Sequence, residues 1–288
     1  MTNLQTLPSQ NLLTHPVFEF FERWSGKTNG FYLRDFLGTK TDPKVKKSWK
    51  AQPKGFAKPN YPVVNEHYYD WLVVLSSVLA AKTQFNMIEL GAGYAPWLVR
   101  AAYALKQIKP ELPFFLVGVE GDSSHFQWMV EHFENNDLLP EQHMLIEALI
   151  SNSDGTAMFP KILDPSTNYG ASLSSTQNSS QELIEVKTIC LKTILSKISG
   201  DVDLIHMDVQ GEEEKIITSD IDLLSQRVKQ MLIATHKSNA LHENIRHIMR
   251  NNGWIPRYNF DRNSEWITEW GNIHFYDGFQ YWINPRIT

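Results

Sequence analysis

The chain has 288 residues, 42% hydrophobic and 20% charged, with a formal net charge of −5. That balance suits a soluble globular chain with core enough for one large α/β domain and an appendage, and it exerts no overall pull toward nucleic acid. No apolar run approaches the ~18–20 residues of a membrane span, and a lone cysteine, Cys190, excludes a disulfide framework and CxxC redox or zinc motifs.

The opening, MTNLQTLPSQNLLTHP, lacks the basic start and apolar core of a secretory signal, so the cytoplasm is the expected location. Residues 1–65 read as an N-terminal appendage. Within it Lys40, Lys44, Lys46, Lys47, Lys50, Lys54 and Lys58 face a single acid, Asp42. This stretch is either a solvated loop or a lid that attracts an anionic acceptor, with Trp49 and Phe56 available to stack on a ring. Residues 66–288 read as the main domain, and NEHYYDWLVVLSSVLAA as the helix that leads into it.

FNMIELGAGYAPW combines a buried strand, Phe85 to Leu90, with a glycine turn and a helix opened by Pro96. A dinucleotide fingerprint needs a third glycine where Pro96 stands. Glu89, at the mouth of the strand, would repel a pyrophosphate. It suits a ligand with an ammonium or sulfonium group, and S-adenosylmethionine has both and no phosphate. Gly91 and Gly93 let the backbone approach such a ligand closely. The next strand, FFLVGVE, ends in Glu120, which can accept both hydroxyls of a ribose, a device that NAD sites share. Asp122 or Ser123 caps the following helix, and Phe126, Met129, Val130 and Phe133 mark its apolar face.

MLIEALI reads as a third strand. Residues 155–190 hold short pieces (GTAMFP, ASLSS, ELIEVKTI) that predict an inserted β-hairpin or lid, with Cys190 as a small buried hydrophobe. VDLIHMD delivers Asp208 to the sheet edge and QMLIATH delivers His236 beside it. His206 is expected to pack against a helix. Glu212, Glu213 and Glu214 read as a helix cap and solvated face. Leu241, Ile245, Ile248 and Met249 stripe a further helix stopped by Gly253. The tail, NIHFYDGFQYWIN, with its Asp277-Gly278 turn, predicts a terminal hairpin. The alternation specifies an α/β fold: a Rossmann-like, doubly wound, mostly parallel sheet whose ligands sit at the carboxyl ends of the strands.

Three functions suit such a chain: an S-adenosylmethionine-dependent methyltransferase, an NAD-type oxidoreductase, or a non-catalytic binder of an adenosine ligand. Glu89 and Pro96 favour the first. A hydroxyl acceptor must lose a proton, so a base is useful. His236 is the candidate, because imidazole titrates near neutrality. Asp208 either converges on the methyl beside it or holds the cofactor's amino group or a metal.

From about Phe85 to Trp254 the sequence resembles the FkbM-type methyltransferase family, on IELGAGY, VGVE, ALISNSDGTAMF and DLIHMDVQGEE. The resemblance implies a class I methyltransferase fold and O-methylation of a sugar hydroxyl or other small metabolite. It implies cofactor contacts at Glu89, Gly91, Gly93, Tyr94, Glu120, Ala148 and Asp208. The lysine-rich stretch, read as a lid, adds that this small-molecule acceptor is anionic or a nucleotide-linked sugar, and the net charge of −5 gives no reason to expect a nucleic acid partner. Two positions depart from the family pattern: its glutamate in D-V-E-G is Gln210 here, and an acidic position in the preceding segment is Lys192. Both remove negative charge, so a divalent metal is not favoured and no metal ligand is assigned.

Overall fold

The structure, a computed structural model, describes residues 14–172 and 182–287. Before residue 66, short strands β1 (Gly26–Thr28), β2 (Leu33–Arg34), β3 (Lys40–Thr41) and β4 (Gly55–Ala57) pair as β1 with β4 and β2 with β3. Phe18 and Phe36 of this segment meet edge to face at 5.6 Å and join the core that packs on α1 (Tyr68–Ala80).

The chain continues with β5 (Phe85–Leu90), α2 (Pro96–Ile108), β6 (Phe114–Glu120), α3 (Ser123–Asn135), β7 (Met144–Glu147), β8 (Leu149–Ser151) and β9 (Gly155–Pro160). After these come β10 (Leu183–Cys190), α4 (Leu191–Leu195), β11 (Leu204–Met207), α5 (Glu213–Arg227), β12 (Gln230–Thr235) and α6 (Asn239–Asn251). The chain ends in β13 (Ile255–Phe260), β14 (Ser264–Thr268), β15 (Gly271–Phe275) and β16 (Gly278–Ile283).

Seven strands form the central sheet in the order β13-β16-β12-β11-β5-β6-β7. The five from β12 to β7 are parallel, and β16 and β13 are antiparallel additions. Every residue of β5 is buried, as expected of a strand covered on both faces. One face packs on α1, α2 and α3, the other on α4, α5 and α6. Chain order reverses between β5 and β11, so their carboxyl ends open the crevice where ligands of doubly wound sheets bind.

Some local expectations change. MLIEALI is two strands: the Ala148 N–H donates to the Glu120 carbonyl (2.9 Å) at the end of the β6–β7 pairing, and β8 then leaves the central sheet to pair with β10. The insertion is an antiparallel β9–β10 pair, with β8 joining β10 in parallel. Part of ASLSS, residues 173–175, lies outside the described residues. Cys190 is only partly buried. The tail is not one hairpin: β15 pairs with β14, while β16 inserts between β12 and β13. Phe279, Gln280, Tyr281 and Trp282 are all buried, so β16 has two covered faces and belongs inside a sheet.

Candidate active site

The turn after β5 is built on left-handed backbone: φ is 71° at Gly91 and 55° at Gly93. At Gly91 the demand is severe, since a Cβ there would lie 1.8 Å from the Asp208 carbonyl oxygen. β5 and β11 approach this closely because the Asp208 N–H donates to the Leu90 carbonyl at 2.9 Å. Two cavities meet at this turn and share Gly91, Gly93, Tyr169 and Asp208 as lining. The smaller, about 120 Å³, runs past Glu120, Ala148 and Leu149. The larger, about 520 Å³, opens toward the appendage past Glu89, Tyr94, His206, Arg100 and Trp49. Tyr169 stands between them, its ring stacked on His125 at 4.3 Å and its hydroxyl donating to the Val45 carbonyl at 2.6 Å.

The expected cofactor residues are therefore gathered at one place. Glu120 accepts from the N–H groups of Gly93 (2.8 Å) and Asp122 (2.7 Å). Burial raises its pKa against those two hydrogen bonds. Glu89 is 2% exposed and accepts from the Leu98 N–H at 3.0 Å, at the start of α2. Burial pushes its pKa up to about 7, although His206, the α2 amides and Arg100 pull the other way. Tyr94 lines the larger cavity only, and Ala148 the smaller only.

Asp208 and His236 do come together, with His236 Nε2 3.3 Å from Asp208 Oδ1. The imidazole is 6% exposed and lines neither cavity. Its Nδ1 lies 2.7 Å from Glu213 Oε1, and Asp277 Oδ2 is 3.7 Å from Nε2. Burial alone would lower its pKa, but Glu213, Asp208 and Asp277 outweigh burial and raise it to about 9. The Gln210 amide nitrogen lies 3.1 Å from the same Nε2, so three carboxylates and an amide surround the ring. Glu213 is not on a solvated face as its sequence context suggests. It is fully buried, because its carboxylate is the partner of His236 and of the Gly211 N–H (2.9 Å). Gln210 donates from Nε2 to Asp208 Oδ1 at 2.7 Å. Among the described residues no group of three His, Cys, Asp or Glu side chains is arranged to hold a metal ion.

The larger cavity has aromatic walls. The Arg100 guanidinium lies 4.4 Å from the Trp71 ring centre and 4.5 Å from that of Trp97, and its Nε donates to Asp35 at 3.2 Å. Lys46 and Trp49 of the lysine-rich stretch reach this wall. Other lysines there pin the stretch to the domain: Lys40 pairs with Asp137 (3.1 Å), Lys47 with Asp164 (3.1 Å), and Lys44 with Glu131. Phe56 does not join Trp49. It is 75% exposed on β4.

The sequence reading missed His67, Asp70, Arg100 and Tyr169 as lining or support of this cavity. One signal was available: Asp70 is a lone acid in the otherwise apolar run YYDWLVVL, and a carboxylate on a helix face that must be buried calls for a partner. His206 does pack against helices, touching Asp70 of α1 and the Trp97 ring of α2, but it lines the cavity as well. No helix among the described residues is long and apolar enough to cross a membrane.

Several known proteins are similar to this chain. A family model described as "Methyltransferase FkbM domain" matches residues 113–256. A protein of Jannaschia sp. (strain CCS1) named "Putative methyltransferase" is 27% identical over 248 residues, covering 81% of this chain and 86% of its own. Among solved structures, precorrin-6y C5,15-methyltransferase from Geobacter metallireducens GS-15 matches with 12% identity over 74% of this chain and 85% of its own, at a TM-score of 0.40. TrmK of M. capricolum, in complex with S-adenosyl-homocysteine, matches with 9% identity over 74% of this chain and 67% of its own, at a TM-score of 0.38. The family match spans half of the 288 residues and contains the Glu120 strand, the inserted hairpin and the Asp208–His236 strand ends, and the chain belongs to the FkbM methyltransferase family.

Proposed function

We propose that this methyltransferase uses S-adenosylmethionine and methylates a hydroxyl of a sugar or similar small molecule. The observation that carries this reading is the junction of two unlike cavities at the glycine turn. One suits a nucleoside, the other an aromatic-walled acceptor site.

The residues present fit the cofactor. A carboxylate has about four lone-pair positions, and Glu120 uses two on Gly93 and Asp122, leaving room for two ribose hydroxyls. Helix N-termini are ready-made phosphate sites, but here the α2 terminus is taken by Glu89, and Pro96 has no N–H to give. That argues against a dinucleotide. Glu89 and Asp208, on the side of the turn facing the larger cavity, suit the cofactor's amino group. When bound, S-adenosylmethionine supplies an electrophilic methyl group on a sulfonium. The chain's part is then alignment, which can account for much of the rate.

For the acceptor, Trp49 and Tyr94 offer ring surface of the kind sugar rings stack on, while Trp71 and Trp97 back the wall behind Arg100. The Arg100–Asp35 pair offers both donors and acceptors to hydroxyls. Lys46 at the wall favours an anionic acceptor such as a nucleotide-linked sugar. His236 lines neither cavity and lies 3.3 Å from Asp208, a placement that suits holding Asp208 in position rather than removing a proton. Calorimetry tests the cofactor: S-adenosylhomocysteine should bind and NAD should not. Glu120→Ala should weaken that binding by about 1–3 kcal/mol, the scale of charged hydrogen bonds lost. Binding of NAD without binding of S-adenosylhomocysteine would overturn the assignment.

A further inference from the structure

We propose that His67, held by Asp70 and backed by His206, is the base that takes the proton of the acceptor hydroxyl; this rests on the O-methyltransferase reading above. Asp70 belongs to α1 and is 7% exposed. Its Oδ1 accepts from His206 Nε2 at 3.1 Å, and its Oδ2 lies 3.4 Å from His67 Nδ1. A buried carboxylate is costly unless paired, and here one carboxylate serves two imidazoles that come from different parts of the chain.

The two rings differ in access. His206 is 5% exposed, stands beside Glu89 in the β11–β5 register, and keeps a buried Nδ1 with no hydrogen-bond partner among the described residues. An unsatisfied buried nitrogen is unfavourable, so a partner entering from the cavity would be favoured at this wall. The side chain of His67 is 66% exposed. Both histidines line the larger cavity, together with Glu89 and Asp208. A proton on Nδ1 directed at Asp70 leaves Nε2 as the lone-pair nitrogen of His67. The nearest acid to that atom, Glu66 Oε1 at 3.9 Å, is beyond hydrogen-bond reach. Orientation of a base by a buried carboxylate is a general device of acid–base sites.

The step balances. The acceptor oxygen forms a bond to the methyl carbon as the carbon–sulfur bond breaks, and the bonding pair stays on sulfur. The hydroxyl proton passes to His67 Nε2 and from there to water. The charged groups around His67 are Asp70 on α1, Glu66 just before it and Arg100 on α2. Those around His206 are Asp70, Glu89 and Asp208. Burial lowers both pKa values, but the neighbouring acids outweigh it and leave both raised. Turnover should therefore fall as pH drops through the His67 titration.

The test uses full-length protein saturated with S-adenosylhomocysteine and carrying ¹³C-labelled histidine. In Asp70→Asn the NMR titration of His67 should move to lower pH by about one unit or more, the scale of losing a close opposite charge, and the His206 signal should move with it. Methyl transfer from radiolabelled S-adenosylmethionine is then measured on a panel of methyl glycosides and nucleotide-linked sugars. His67→Gln should lower kcat by about 10²–10⁴-fold, the scale of a lost base, with affinity for S-adenosylhomocysteine unchanged. Asp70→Asn should shift the acid limb of the kcat profile to lower pH. A His67 titration that ignores Asp70→Asn, or a His67→Gln enzyme with wild-type rate and pH profile, overturns the proposal. If the wild type binds S-adenosylhomocysteine yet methylates no hydroxyl, the acceptor reading fails instead, and the NMR titration alone decides the His67–Asp70–His206 array.

Discussion

Replacing Glu89 by glutamine should make the protein more stable at pH 8 and worse at binding its cofactor. Glu89 is 2% exposed, and burial holds its carboxyl near pKa 7, against an ordinary value of 4.5. Between those two pH values the folded chain keeps a proton that the unfolded chain has lost. Stability from this group therefore falls as pH rises through that window. At about 1.4 kcal/mol per pH unit, the difference amounts to about 3 kcal/mol at most. Glutamine keeps a carbonyl oxygen for the Leu98 N–H, now 3.0 Å from the carboxylate, and carries no charge to desolvate. Urea unfolding followed by the fluorescence of the nine tryptophans should show the variant and wild type alike at pH 4 and the variant ahead by about 1–3 kcal/mol at pH 8. Calorimetry should show S-adenosylhomocysteine binding weakened by about 1.5–3 kcal/mol, the scale of a hydrogen bond to a charged group. Parallel stability curves for the two proteins across this pH range would refute the burial argument. Unchanged ligand affinity would refute the role given to the charge.

Gly91→Ala should cost about 2–3 kcal/mol of stability, combining a left-handed alanine with a weakened Asp208–Leu90 hydrogen bond, because its Cβ would sit 1.8 Å from the Asp208 carbonyl. Thermal unfolding measures it, and a loss below about 0.5 kcal/mol, typical of innocuous surface changes, would mean the two strands separate easily. His236→Gln strands the fully buried Glu213 and should destabilise by about 3–5 kcal/mol at pH 6. His236 has a raised pKa of about 9, so its contribution is complete below pH 6.5 and is lost as pH rises through about 9. The gap between wild type and variant should close over that range, and a pH-independent gap would show that the ring is not held as a cation. Methyl transfer should persist in excess chelator, since Gln210 directs an N–H at Asp208 where the family's glutamate would add a second carboxylate. Loss of activity restored by a divalent ion would reverse this expectation.

The sequence by itself determined most of the elements and the glycine turn. Phe85–Leu90 is uniformly apolar apart from Asn86 and Glu89, and glycine and proline punctuate the turn that follows it. These signals are local: strand periodicity, left-handed backbone and a proline at a first helical turn act over a few residues. Glu120 and Asp208 were legible for the same reason, because a strand of known direction delivers its last residue to a known edge. The tertiary structure decided what those residues meet. His206 and Asp70 are 136 positions apart, and His236 and Glu213 are 23 apart. Nothing in the local sequence says that the first pair would seat His206 in a cavity wall or that the second would set His236 against a buried carboxylate. The tail shows the same limit, since an alternating segment with a good turn can pair with its neighbour or enter the sheet. β16 entered because two covered faces bury Phe279, Tyr281 and Trp282 more fully than a hairpin on the surface could. Charge states and partners depend on which distant surfaces exclude water together, and only the packed chain fixes that.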